Sequence, residues 1–410
     1  MVGSRYKMGD YTPYLYHTTD YGATWKLITN GIPEEHFTRV LRADKNVEGL
    51  LYCGTEFGLY ISTNNGASWK PFQLNLPEVP ITDLALKDND LIVATQGRSF
   101  WLLDDLNVIW DEIRKSTSED KMRLYSVRPT VGFGRGGNAS NLHGTNNPGG
   151  VPIFFHLPSD EEKVTLKFID DEGDVIRTYS TKAKEKGDKL EVEKGLNRFD
   201  WDTRYEKADD FEGMLIWWGT LAGPKAPPGN YTARLIVGED SLDTPFEILP
   251  DPRMEGTVED RQAQFEFLLE IRNKLDETHD AIRNMRQIKK QISALNSRLD
   301  SATHKALIDE GKRMDSTMTA IEKVLYQTKL KSNQDMLNFP IMLNNKLAHV
   351  ASLASMGIYA PTKQMRGVAN DVTQRIDEQL EKWYALRDDD LKKYNAMIRE
   401  QEVDFIGVEE

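Results

Sequence analysis

The hydrophobic pattern changes its rhythm along the chain, and each rhythm predicts a different kind of element. Up to residue 104, short apolar runs alternate with turns rich in Gly, Asn and Asp, the mark of strands joined by tight reversals. Tyr14–His17, Trp25–Ile28, Thr38–Arg42, Leu50–Gly54, Leu59–Ser62 and Trp69–Phe72 are predicted strands. Three more fall between 81 and 104, and Leu124–Val127 is expected to complete the last group. Residues 131–150, including GFGRGGNASNLHGTNNPGG, show no periodicity and read as a linker. From 151 to 250 the pattern predicts seven short strands: Pro152–Leu157, Val164–Ile169, Val175–Ser180, Leu190–Val192, Gly195–Trp201, Tyr231–Val237 and Thr244–Ile248. Their spacing suggests two stacked antiparallel sheets with Trp201 and Tyr231 in the core.

After Pro250 and Pro252 the period becomes helical. Leu268, Ile271, Leu275, Thr278, Ile282, Met285, Ile292, Leu295 and Leu299 recur at steps of three and four, the seam of a long helix. Leu307, Met314, Met318, Ile321 and Leu325 predict a second helix over 303–331, antiparallel to the first. A shorter helix over about 335–354 and a long one over 363–401, carrying Val368, Val372, Ile376, Leu380, Trp383 and Ile398, would complete a four-helix bundle. Pro361 and Thr362 mark the start of the last helix.

One phrase is written twice. TTDYGATW occupies 18–25 and STNNGASW occupies 62–69, so Thr18 and Ser62 stand 44 residues apart. Repeats of about 40–45 residues are the spacing of β-propeller blades. The residue types suit a strand reversal. Asp20 or Asn64 can accept bonds from backbone amides, Thr18 or Ser62 adds a hydroxyl, Gly22 or Gly66 supplies positive φ, and Trp25 or Trp69 anchors the outgoing strand.

The phrase resembles S-x-D-x-G-x-x-W, the Asp box or BNR repeat of sialidases, xyloglucanase-type glycoside hydrolases and sortilin-like propellers. With DLIVATQGRSFWLLDD at 90–105, the chain is similar to the C-terminal part of large bacterial proteins of the glycosyl hydrolase BNR-repeat, sortilin-like (VPS10-type) family. Thr18 replaces the Ser of the pattern, and Asn64 replaces the Asp while keeping an acceptor oxygen. GLNRFDWDTR at 195–204 and PPGNYTARL at 227–235 resemble the accessory sandwich that follows such propellers.

The expected fold is therefore multidomain, mainly β and then α. Residues 1–130 would form about two and a half terminal blades, 151–250 an immunoglobulin- or fibronectin-like β-sandwich, and 251–410 an antiparallel helical bundle. A ring needs at least about four blades, and the resemblance implies six to eight, so the missing N-terminal blades of the same protein are expected as the first partner. The resemblance also implies a secreted or periplasmic protein, although MVGSRYKMGDYTPY contains no apolar signal stretch.

Composition removes several functions. A net charge of −13 disfavours a nucleic-acid partner. No run approaches the roughly 18 apolar residues of a membrane span. Cys53, the one cysteine, sits in an apolar run and reads as a core residue. The seven histidines at 17, 36, 143, 156, 279, 304 and 349 show no metal-binding spacing, and no G-x-S-x-G elbow occurs. GFGRGG lacks the strand-then-helix context of a phosphate loop. No metal or cofactor is expected.

Glycoside hydrolysis needs two carboxylates across a sugar bond. Asp104 and Asp105, at the end of a strand, are the first pair to consider and Glu56 the second; each otherwise reads as a turn or capping residue. Trp217 and Trp218 either pack at a loop or domain contact or present a ring to carbohydrate. Asp20 reads as structural. These features lead to an expected scaffold that binds polysaccharide or polypeptide. The alternative is part of a xyloglucanase-like glycoside hydrolase whose catalytic carboxylates lie mostly in other blades.

Overall fold

A computed structural model describes residues 1–115, 121–132, 149–160, 163–401 and 403. It begins with three small antiparallel sheets. The first contains β1 (Val2–Arg5), β2 (Asp10–His17) and β3 (Lys26–Leu27). The second contains β4 (Thr38–Ala43), β5 (Leu51–Thr55), β6 (Gly58–Ser62) and β7 (Lys70–Pro71), and the third β8 (Ile81–Lys87), β9 (Asp90–Thr95) and β10 (Phe100–Leu103). In every sheet, strands adjacent in sequence are adjacent in space.

Strand β5 explains how the sheets stack. Successive side chains on a strand point to opposite faces. Leu51 and Cys53 enter a core with Leu15, Ile28 and Trp69, whereas Tyr52 enters another with Ile81, Leu84 and Leu91. The second sheet is thus buried on both faces, one against each neighbour. Gly54 shows how close the third sheet comes, since a Cβ there would lie 2.6 Å from Ile81 Cγ2 and 2.7 Å from Val40 Cγ1. Cys53 is fully buried, and burial raises the pKa of its thiol, as suits a packing residue.

Some of this part is not what the strand pattern predicts. Strand β1 lies ahead of the expected start of the first sheet. Helix α1 (Asn107–Lys115) follows the third sheet, with Trp110 buried in the core and its indole nitrogen donating to Asp44 Oδ2 at 2.8 Å.

The middle part comprises β11 (Arg123–Leu124), β12 (Thr130–Val131), β13 (Val151–Leu157), β14 (Val164–Ile169), β15 (Val175–Ser180), β16 (Gly195–Trp201), β17 (Gly229–Val237) and β18 (Asp240–Leu249). They form two sheets, ordered β11-β13-β16 and β12-β18-β17-β14-β15. Inward residues of both share one core, where Trp201 stacks on Phe168 with ring centroids 4.1 Å apart. Leu124 does not complete the third sheet. It pairs with Phe155 of β13, and its side chain enters this second core. Val131 likewise belongs to a strand, parallel to β18, rather than to a linker. Residues 133–148, with most of the GFGRGG stretch, lie outside the described residues. Leu190–Val192 forms no strand; Lys189 makes only an isolated bridge to Ser180.

Helices α2 (Val258–Asn296), α3 (Lys305–Leu325), α4 (Leu343–Ala354), α5 (Lys363–Ala385) and α6 (Leu391–Glu400) make up the last part. A π turn, Leu386–Asp390, separates α5 from α6. Thr257 begins α2 with a reciprocal capping box to Asp260, and the Thr362 hydroxyl caps α5 by accepting from the Met365 amide. Ile271, Leu275, Ile282, Met285, Met314, Met318, Ile376, Leu380 and Trp383 share one core. Val368 is exposed because Ala369 and Val372, one step round the helix, take the inward positions. The protein is therefore mixed β and α, several sheets followed by helices.

Candidate functional site

The two repeated turns share the same hydroxyl and backbone-amide bonds. Thr18 Oγ1 donates to Asp20 Oδ1 at 2.8 Å and accepts from the Gly22 amide at 2.9 Å. Ser62 Oγ donates to Asn64 Oδ1 at 2.9 Å and accepts from the Gly66 amide, also at 2.9 Å. Four residues on, the Thr24 and Ser68 amides donate to Asp20 Oδ1 and Asn64 Oδ1 at 2.8 and 2.9 Å. The Thr24 hydroxyl and amide and the Thr18 hydroxyl hold the Asp20 pKa down at about 2. This carboxylate is committed to its turn. Tyr21 and Asn65, which precede the glycines, also have positive φ (56° each).

The anchors differ. Trp69 is 3% exposed, and its Nε1 donates to Ile28 O of the preceding hairpin at 2.7 Å, while its amide donates to Asn30 O at 2.8 Å. Gly66 packs on the same hairpin, where a Cβ would meet Ile28 Cδ1 at 2.5 Å. Trp25 is 44% exposed and donates only to Gly22 O in its own turn, at 3.1 Å. The second turn is docked on a neighbouring sheet. The first has no such neighbour among the described residues.

At the opposite end of the sheets lie the turns β1-β2, β5-β6 and β9-β10. Tyr6, Tyr11, Phe57 and Phe100 are exposed there. Phe37 links the first two turns, stacking on Tyr6 at 4.8 Å and meeting Tyr11 at 6.0 Å, while its O accepts from the Glu56 amide at 3.1 Å. The Arg39 guanidinium lies over Tyr6 and Phe37, 5.6 and 5.2 Å from their centroids, and its Nε donates to Glu56 Oε2 at 2.6 Å. His36 Nδ1 and Tyr60 Oη hydrogen-bond at 2.8 Å, and the His36 ring lies 4.9 Å from that of Phe57. Glu56 is thus tied to an arginine inside an aromatic group. The exposed rings offer flat apolar surface beside polar partners, an arrangement that can stack on sugar rings or hold apolar side chains.

Asp104 and Asp105 sit at the other end of β10, so they and Glu56 lie at opposite ends of the strands and cannot flank one bond. Arg128 holds this group together, with Nε 3.0 Å from Asp105 Oδ1 and Nη1 2.8 Å from Asp90 Oδ1. Burial raises the pKa of both Asp104 and Asp105; Asp90 repels Asp104, while Arg128 and Arg198 oppose the shifts. The Asp105 side chain is almost completely buried, and its Oδ2 has no hydrogen-bond partner. The arrangement fastens the connector after α1 to the third sheet. Among the described residues no His, Cys, Asp and Glu cluster could hold a metal ion, and no helix is long and apolar enough to cross a membrane.

Trp217 and Trp218 are not on a strand. They belong to an irregular segment between β16 and β17 that crosses onto the helices. The Trp217 amide donates to Asn345 Oδ1 at 2.9 Å, and Asn345 Nδ2 donates to Trp217 O at 2.8 Å. Nearby, Asp209 O accepts from His279 Nδ1 at 2.6 Å, and the Tyr326 hydroxyl joins Leu215 and Gly213. Trp217 is half-buried, its ring 5.6 Å from that of Trp218, which is 74% exposed at a φ of 54°.

The aromatic end of the sheets is what sequence inspection overlooked. A signal existed: YKMGDY, TEFGL and QGRSF each place an aromatic residue within two positions of a glycine or serine turn.

No protein-family model and no curated protein sequence matches this chain. Among solved structures, two of the extracellular domain of BT4673 from B. thetaiotaomicron align with it, one described as a one-component and the other as a hybrid two-component system. Identities are 10% and 9%, and TM-scores 0.20 and 0.18. Each alignment covers 57% of this chain and 28% of the other. Overlap at that level carries neither a fold nor a function from one chain to the other.

Proposed function

We propose that this chain carries blades of an Asp-box β-propeller, with a sandwich and a helical bundle attached, and that it serves as an extracytoplasmic carbohydrate-binding scaffold. Two observations support the ring. The repeated turns share one hydrogen-bond pattern, and the second docks on the sheet before it through Trp69. Trp25 and Leu27 expose the equivalent surface of the first sheet, which a further blade would cover. Among the described residues the third sheet has no counterpart of β7, so β10 is an edge with Phe100 and Leu102 exposed.

The single observation that carries the binding reading is the end of the sheets where Tyr6, Tyr11 and Phe57 are exposed near the Arg39–Glu56 pair, with Phe100 exposed at the start of β10. Aromatic contacts are worth about 0.5–1.5 kcal/mol each, or about two- to tenfold in Kd. Titration calorimetry with soluble β-glucans such as xyloglucan tests the reading. Binding should occur without bond cleavage, and Tyr11→Ala, Phe57→Ala and Phe100→Ala should each weaken it by about that factor. Undiminished binding in all three, or binding of extended polypeptides alone, would refute it. The hydrolase alternative finds no support in Asp104, Asp105 or Glu56, since Asp105 and Glu56 are each tied to an arginine and Glu56 lies at the opposite end of the strands from both aspartates. Release of shorter glucans would revive it.

A further inference from the structure

Three cations from separate segments meet in a cleft between the middle sheets and the start of α2. Arg204 and Lys225 belong to segments joined by an isolated antiparallel bridge, and Arg261 lies in the first turn of α2. Together with Phe265, Leu268 and Met254 they line a cleft of about 230 Å³.

Their donors are largely unspent. Arg204 Nη1 donates to Gly223 O at 2.9 Å. Arg261 makes one long contact, Nη1 to Gln264 Oε1 at 3.4 Å, and Gln264 is itself fixed by its bonds to Ala354 O and Gly357 O. Lys225 Nζ has no hydrogen-bond or ion-pair partner among the described residues. One carboxylate, Asp251, lines the same cleft, but Arg253 occupies both its oxygens at 2.9 and 2.7 Å. Asp202 attracts Lys225 only weakly. Burial, followed by the like charges of Arg204 and Arg261, lowers the pKa of the lysine amine. The chain as a whole carries a net charge of −13, so this concentration of positive charge runs against its composition. Half-buried like charges whose nearest carboxylates are engaged elsewhere or only weakly felt disfavour the folded state unless a ligand supplies the balance.

We propose that this cleft binds the phosphate group of a small phosphate monoester, with the organic portion against Phe265, Leu268 and Met254. Two considerations select phosphate over carboxylate. A phosphate monoester carries close to two negative charges at neutral pH and three acceptor oxygens, matching three convergent cations, whereas a carboxylate would leave most of the charge unbalanced. The arginine forks and a lysine point charge are also the donors that phosphate recognition uses.

The test is titration calorimetry of the intact chain with inorganic phosphate and with glycerol phosphate. Both should bind saturably at one site, more weakly as salt is raised. Lys225→Met and Arg261→Met should each weaken binding about tenfold or more, while Lys323→Met on the exposed face of α3 should leave it unchanged. Thermal melting supplies a second readout. Without phosphate, Lys225→Met should melt no lower than the parent, because it removes a repelled charge, and phosphate should no longer raise its Tm. Absence of saturable phosphate binding, equal binding of acetate or glucuronate, or a lowered Tm of Lys225→Met in phosphate-free buffer would each overturn the proposal. The aromatic substitutions that test carbohydrate binding lie on other elements and should leave phosphate binding intact.

Discussion

Replacing Trp69 by alanine should uncouple the first two sheets, and the same change at Trp25 should not. A buried tryptophan removes about 150–250 Å² from water, worth about 4–6 kcal/mol at about 25 cal/mol per Å². Measured Trp-to-Ala changes in cores run at about 3–5 kcal/mol. Trp69 is 3% exposed, and its loss also leaves Ile28 O without the indole donor, worth about 1 kcal/mol more. About 4–5 kcal/mol is expected. Trp25 is 44% exposed and bonds only within its own turn, so little more than half of that burial, about 2–3 kcal/mol, is expected there. Because several cores need not unfold together, the suitable assay is native-state hydrogen exchange resolved by peptide. Trp69→Ala should lower protection in 26–32 and 62–72 together, since Ile28 and Asn30 are its partners. Trp69→Phe should recover most of the packing but not the hydrogen bond. Equal effects of the two alanine variants, or unchanged protection of 26–32 in Trp69→Ala, would refute the docking argument.

Three further outcomes are expected. Arg128→Met leaves Asp105 and Asp90 without their shared cation and should destabilise the sheet region by about 3–5 kcal/mol, and adding Asp105→Asn should restore much of it in a double-mutant cycle of thermal melts. His279 is fully buried, and burial lowers its pKa below the ordinary 6.5; the unfolded state therefore binds the proton more readily, and stability of the helical part should fall as pH drops below about 6.5 and level off above it. His279→Gln should flatten that slope in melts from pH 5 to 8. Asn345→Ala removes both bonds that hold Trp217 to α4 and should speed proteolytic cleavage within 209–221 without changing the turns of the first sheets.

What could be read from the sequence follows the range of the forces involved. Turn chemistry is local: Thr18, Asp20 and Gly22, like Ser62, Asn64 and Gly66, fold through bonds spanning at most four residues, so the residue types announce the geometry. Helical seams are similarly local in period, and Ile271 through Met285 enter the core as their spacing implies. The place of Leu124 was illegible because a single apolar residue suits either of two sheets, and its partner strand, β13, lies beyond the linker. Helix α1 hides for another reason: it is short, and its Ile109, Trp110 and Ile113 also suit a strand end. The cationic cleft could not be anticipated at all, since Arg204, Lys225 and Arg261 stand far apart in a chain dominated by acidic residues.

The same distinction bears on where function resides. Of the carboxylates singled out for their neighbours in sequence, Asp105 and Glu56 are paired with partners from elsewhere in the fold, Arg128 and Arg39. A charge with a close counter-charge is held in place, and its energetics are largely settled before any ligand arrives. The groups left unsettled are of the opposite kind: exposed rings gathered at one end of three sheets, and a lysine amine facing two arginines. Both gain from an outside partner in a way that the paired carboxylates do not. The binding experiments are therefore directed at the rings and the cations, and the carboxylates enter only as supports of the sheets that present them.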